Sequence, residues 1–335
     1  MLFSPTLYAT PDNPIPPGAI EETVAAADGV KLRAARWTPA SARGTVVLLG
    51  GRTEYIEKYF ETIADMLGRG FAVATMDWRG QGGSERPLPN PMKGHIDDFA
   101  LYERDFAAFQ RDALAACPRP WIGLCHSMGG AIMLRIAHEG RCPFERLIVT
   151  APMIALSRGA VPDILQPLAT PRFLRGLAEI VDGLGLGGAF APGGGSAPLG
   201  TSPFEGNPLT SDPDRYRRLQ GILRAHPQIG LGGPTVGWVH AAMRLMREFA
   251  DADYPRAIAT PTLVVASGAD RVVDLRSIER FASRLRAGAL IVIDGARHEV
   301  MVERDLYRAQ FFAAFDAYAG GATREAFTPP YRAAV

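Results

Sequence analysis

Short apolar runs alternate with segments of helical period along most of this chain. TVVLLG (45–50), FAVATMD (71–77), WIGLC (121–125), RLIVTAP (146–152), TLVVASG (262–268) and LIVID (290–294) are nearly continuous hydrophobic stretches of strand length. That is the pattern of strands buried on both faces of a parallel sheet. Between the first two, Ile56, Tyr59, Phe60, Ile63 and Leu67 share one face of a helix that Gly68 and Gly70 end. Similar patterns run over 98–116, 128–139, 276–286 and 304–318. Ahead of them, ETVAAADGVKLRAARW (22–37) sets two alternating runs around Asp28-Gly29, a dipeptide suited to a tight hairpin turn. The order predicts an α/β fold with helices on both faces of a mainly parallel central sheet.

The alternation stops between about 155 and 250, where prolines, the glycine-rich GLGLGGAFAPGGGSAPLG (183–200) and helical pieces over 174–184, 216–224 and 236–249 take over. This segment reads as a cap inserted into a core made of 1–154 and 251–335. Its glycine stretch is expected to be a mobile loop, because glycine loses much backbone entropy on ordering.

The length of 335 residues supplies a sizeable core, and the net charge of +1 gives no global field for nucleic acid. Cys117, Cys125 and Cys142 form neither a CxxC pair nor an even disulfide framework, which points to a reducing, cytoplasmic setting and away from structural zinc. The N-terminus lacks a basic start before an apolar core, and no stretch reaches membrane-spanning length. Contact with a membrane surface through the cap is compatible with this composition, and the oligomeric state stays open.

The chemistry concentrates at GLCHSMGG (123–130). Ser127 falls where strand WIGLC ends and helix MGGAIMLRIAHEG begins, the place of a nucleophile elbow. An elbow needs small neighbours two positions either side; Gly129 supplies one, and Cys125 stands where the strict motif has glycine. A serine hydroxyl needs a base oriented by a carboxylate, in the chain order Ser, acid, His. His298 follows LIVID at a strand's C-terminal end, where open α/β sheets place their chemistry. Asp270 and Asp274 both follow TLVVASG; Asp270, nearer the strand, suits the acid, and Asp274 suits a helix cap. Backbone N–H groups of Met128 and Arg52 are the expected oxyanion donors. Serine at the elbow, where dehalogenases and epoxide hydrolases carry aspartate, disfavours those reactions.

Taken together, GRTEYIEKYFE (51–61), MDWRGQGGSERP (76–87), KGHIDDFALYERDFAAF (93–109), CHSMGGAI (125–132), TAPM (150–153), GGPTVGWVHAA (232–242), DRVVD and RHEVMVE resemble α/β-hydrolases of the bacterial lysophospholipase and monoacylglycerol lipase type. The resemblance covers most of the chain and agrees on Ser127, Asp270, His298, Arg52 and Met128. Gly50 stands where the lipases have histidine, as a non-histidine residue does in the lysophospholipase branch. The resemblance implies hydrolysis of a lysophospholipid or monoacylglycerol ester with neither cofactor nor metal. Leu165, Leu174, Leu177, Ile180, Trp238, Met243 and Phe249 of the cap are expected to line an acyl pocket. Amide hydrolysis on the same triad, or a fold-retaining binding protein without turnover, are the alternatives. His126, His95, Asp77 and Arg79 read as structural, and Arg215, Arg217 and Arg218 as a solvated helix face that is otherwise suited to a lipid phosphate.

Overall fold

The computed structural model describes residues 6–157 and 185–320. Among these, eight strands form one sheet: β1 (Ala19–Ala25), β2 (Lys31–Trp37), β3 (Thr45–Leu49), β4 (Ala72–Met76), β5 (Trp121–His126), β6 (Arg146–Thr150), β7 (Thr262–Ser267) and β8 (Gly288–Ile293). Their spatial order is β1-β2-β4-β3-β5-β6-β7-β8. The predicted hairpin joins β1 to β2, with Gly29 at a φ of +84°. β2 runs antiparallel to β4, and the other pairings, from β4 across to β8, are parallel.

The period of two along β3 explains the layering. Val46 and Leu48 face one side, with Phe60, Ile63 and Met66 of helix α1 (Phe60–Gly68) and Phe311, Phe312 and Phe315 of the last helix, Asp305–Tyr318. Val47 and Leu49 face the other, with α2 (Ala100–Asp112), α3 (Ser127–His138) and the helix Leu275–Ala282. The α/β architecture with helices on both faces is thus borne out. LIVID differs from expectation: β8 pairs only with β7 among the described residues, and Leu290, Ile291 and Val292 are exposed. Its apolar run belongs to an edge strand, and periodicity alone does not separate an edge from a centre.

Within 155–250, the described residues form α4 (Pro213–Ala225) and α5 (Val236–Phe249), and we number Leu275–Ala282 and Asp305–Tyr318 as α6 and α7. Asp212 caps α4 by accepting from the Asp214 and Arg215 N–H groups at 2.9 Å each, so this helix begins before the predicted 216. The predicted helix over 174–184 and Leu165, Leu174, Leu177 and Ile180 lie outside the described residues.

The described part of the glycine-rich stretch is not a free loop. Ala191 N donates to Pro234 O and Leu199 N to Leu231 O, both at 2.9 Å, while Gly233 N donates to Gly195 O at 2.8 Å. A Cβ on Gly233 would lie 2.7 Å from the Gly194 Cα. These glycines permit two backbones to touch, so the entropy lost on ordering is offset by hydrogen bonds and close packing.

Candidate active site

Three strand ends meet at the carboxyl edge of the sheet. β5 delivers Ser127, the turn after β7 delivers Asp270, and the turn after β8 delivers His298. Ser127 sits at a φ of +48°, a left-handed conformation that costs a non-glycine residue about 1 kcal/mol. The α3 backbone here presses against the end of β3: a Cβ on Gly129 would fall 2.6 Å from Gly50 O and 2.7 Å from Leu49 O. Glycine is therefore required at position 129 by space. Cys125 is fully buried within β5, and burial pushes its thiol well above the ordinary range, so it packs as a small apolar residue.

His298 Nε2 lies 3.1 Å from Ser127 Oγ, and Nδ1 lies 2.8 Å from Asp270 Oδ2. The other carboxylate oxygen of Asp270 accepts from Val272 N at 2.7 Å and Val273 N at 3.1 Å, which fixes the acid. Burial alone would raise the Asp270 pKa, but the neighbouring imidazole and these amides hold it below the ordinary value. Burial likewise disfavours a charged His298, and Asp270 outweighs it, leaving the histidine raised. Asp274 instead caps α6, accepting from Ser277 N at 2.9 Å.

The turn after β3 lies beside the serine, since a Cβ on Gly51 would sit 3.0 Å from Ser127 Cβ. Its peptide groups are gripped by residues that the sequence pattern did not single out. Trp78 Nε1 donates to Gly50 O at 2.9 Å, Gly51 N donates to Glu54 Oε2, and Gln81 Nε2 donates to Gly51 O at 2.7 Å. The Gln81 carbonyl also accepts from Thr53 N at 3.3 Å. Because the peptide unit is planar and trans, holding the Gly51 carbonyl fixes the direction of the Arg52 N–H. The glutamine and tryptophan of MDWRGQGGS offered no local signal for this, because the contacts cross about 30 residues of chain.

A buried charge cluster lies under that turn. Lys58 Nζ reaches Glu54 Oε1 at 2.6 Å and Glu299 Oε1 at 2.5 Å, and Tyr59 donates to Glu54 Oε2. Burial opposes the charge on Lys58, but the two carboxylates raise its pKa overall. Burial would also raise the Glu54 pKa, yet Lys58 and His126 bring it down to about 2. The His126 ring stands 4.8 Å from the His298 ring, its Nδ1 2.9 Å from Thr150 Oγ1, and burial pushes its pKa down to about 4. It is a neutral packing partner of His298.

The remaining expected residues divide. Asp77 accepts from Ile56 N, Gly83 N and Arg33 Nε, and Arg79 pairs with Asp105 and Asp28, so both hold turns. His95 binds Thr235 Oγ1 at 2.8 Å, at the N-cap of α5. Trp238 is buried over the Arg52 side chain, beside the turn after β3. Met243 is half-buried and lies about 140° round α5 from Trp238, so the two do not share a face. Phe249 departs from the acyl-pocket expectation: it packs edge-on against Tyr254 and Phe281 in the core. Arg215 and Arg218 depart from the solvated face, since both bind Glu61 of α1; only Arg217, paired with Asp214, is strongly exposed. Leu177 lies outside the described residues.

A serine, histidine and aspartate joined by hydrogen bonds at the carboxyl edge of this sheet define a serine hydrolase of the α/β-hydrolase fold. Residues 40–305 match the family described as serine aminopeptidase, S33. Lysophospholipase L2 of Escherichia coli K12 is 34% identical over 294 residues, covering 84% of this chain and 82% of the relative. A monoacylglycerol lipase of Mycolicibacterium smegmatis is 25% identical, covering 84% and 91%. A soluble variant of monoglyceride lipase from Saccharomyces cerevisiae superposes with a TM-score of 0.68 at 19% identity, covering 92% of this chain and 98% of that one. The chain belongs to this α/β-hydrolase family of serine ester hydrolases, the lysophospholipase and monoacylglycerol lipase family. No helix among the described residues is long and apolar enough to cross a membrane.

Proposed function

We propose that the protein cleaves the acyl ester of a lysophospholipid or monoacylglycerol through an acyl-enzyme, with 155–250 acting as a cap over a core of 1–154 and 251–335. The observation that carries this is the hydrogen-bonded chain from Ser127 through His298 to Asp270, with the serine in a left-handed elbow. Ser127 Oγ attacks the acyl carbonyl carbon while His298 Nε2 takes its proton. Backbone N–H groups of Met128 and Arg52 receive the negative charge that develops on the carbonyl oxygen. The imidazolium then gives its proton to the leaving alcohol, and water, deprotonated by His298 in turn, releases the fatty acid. Asp270 keeps its negative charge throughout and holds the imidazole tautomer.

Amide cleavage is less well supported. An aminopeptidase needs a free carboxylate for the substrate's ammonium group, and the acids flanking His298, Glu54 and Glu299, are both engaged by Lys58. The test is hydrolysis of p-nitrophenyl esters, a monoacylglycerol, a lysophospholipid and amino-acid p-nitroanilides by wild type and Ser127→Ala. The expected outcome is lipid-ester turnover that falls at least about a thousandfold in the variant. Activity confined to the anilides sinks the ester reading. Failure of a fluorophosphonate probe to label Ser127 in the folded protein supports a binding protein without turnover.

A further inference from the structure

The Arg52 side chain has no part in an oxyanion role that uses only its backbone, yet it is held firmly. Its guanidinium carbon lies 5.0 Å from the centre of the Trp238 ring, and Nη2 donates to Gly232 O at 2.9 Å. The group packs so tightly on the loop before α2 that a Cβ on Gly94 would fall 2.5 Å from Nη2. Gly94 on one side and Gly232 and Trp238 on the other thus clamp the guanidinium of a residue in the turn beside Ser127.

What it lacks is an acid. Arg33, Arg79, Arg215 and Arg308 each meet carboxylates at 2.6 or 2.7 Å. Arg52 has no such partner among the described residues, and its Nε is buried without a hydrogen bond. Burial pulls its pKa down to about 10, with only Tyr102 opposing. Arg86 also lacks an acid, but it donates to the carbonyls of Gly80, Gly82, Gln228 and Gly230. A clamped guanidinium with no counter-charge among the described residues is an electrostatically incomplete site, and a guanidinium suits the oxygens of a phosphate.

Position narrows the ligand. In any arginine the backbone nitrogen and guanidinium carbon are separated by as many covalent bonds as separate the acyl carbonyl carbon of a 1-acyl lysophospholipid from its phosphorus. A substrate with its carbonyl oxygen on the Arg52 N–H can thus span to the guanidinium when it lies alongside this side chain. We infer that the Arg52 guanidinium binds the phosphodiester of the substrate head group, which makes this a site for lysophospholipids in preference to monoacylglycerols. The inference rests on the lipid-ester reading above and deepens it.

The experiment measures kcat/KM for a 1-acyl lysophosphatidylethanolamine and a 1-monoacylglycerol of the same acyl length, in wild type, Arg52→Met and Arg52→Lys. Wild type is expected to favour the phospholipid. The ratio of the two values should fall at least about tenfold in Arg52→Met, as expected for loss of a hydrogen-bonded charge, and recover in part in Arg52→Lys. Parallel losses on both substrates, or an unchanged ratio, overturn the proposal and leave Arg52 as a tie between core and cap. A second arm needs no turnover: glycerol 3-phosphate should raise the Tm of Ser127→Ala, glycerol should not, and Arg52→Met added to Ser127→Ala should abolish the shift. Stabilisation by inorganic phosphate equal to that by glycerol 3-phosphate identifies a free-phosphate site and overturns the head-group assignment. If wild type turns over neither lipid, the ester-lipid reading fails, and the glycerol 3-phosphate shift alone decides whether Arg52 is an anion site.

Discussion

Ser127 and His298 are held by different forces. The serine is kept in its strained left-handed elbow by the packing of α3 on the end of β3, and the histidine is oriented by its hydrogen bond to Asp270, which also raises its pKa against burial. The proposed mechanism requires a neutral His298, so kcat/KM should rise with pH as that proton leaves, with a midpoint above the ordinary 6.5. Asp270→Asn removes the charge that raises it. The limb should then move to lower pH, and kcat should fall by about ten-thousandfold; a pH–rate profile of both proteins checks this. Lys58 is the shared ion-pair partner of two buried carboxylates. Lys58→Met leaves them uncompensated, which should cost about 3–5 kcal/mol in urea unfolding. Loss of the pairing also perturbs Glu54, the acceptor for Gly51 N, so activity should fall together with stability.

At the level of elements, the site depends on how closely α3 approaches β3. Gly129→Ala inserts a methyl group against two backbone carbonyls, and neither can move without parting the helix from the strand. The Gly50–Arg52 turn should shift away from Ser127, lowering kcat about a hundredfold while KM changes little. Steady-state kinetics on a p-nitrophenyl ester tests it. The alternation of strands and helices was legible because each element has its own period, and Ser127, Asp270 and His298 were legible because each follows a strand end. Gln81, Trp78 and Glu54 were not, since nothing near them in the chain shows which turn they grip. The edge position of β8 was hidden for the same reason: an apolar run reports its composition and not its neighbours.

For the molecule as a whole, Glu61 of α1 ties the two parts of the chain. It accepts from Arg215 and Arg218 of α4 and from Arg308 of α7. Burial would raise its pKa, but the arginines hold it well below the ordinary carboxylate range. A depressed carboxyl stabilises fully above its ordinary pKa of 4.5 and loses that contribution as pH falls below it. Glu61→Gln should therefore cost about 3 kcal/mol near neutral pH. The gap to wild type should close on acidification, and thermal melts at pH 7 and pH 3 measure both. An equal gap at the two values means that the arginines do not depend on this charge.

The sequence by itself determined the α/β architecture, the hairpin at Asp28-Gly29 and the identity of the three residues that meet at the site. These follow from local periodicity, turn chemistry and chain order, which need no knowledge of distant partners. Only the tertiary structure decided which side chains hold the turn after β3 and that Arg215 and Arg218 face inward. It alone showed that the described glycines of 185–200 pack backbone on backbone, and that Arg52 is clamped without an acid among the described residues. Each of these depends on groups far apart in the chain coming within hydrogen-bonding or van der Waals distance, and that information is carried by the fold and not by any short stretch of residues.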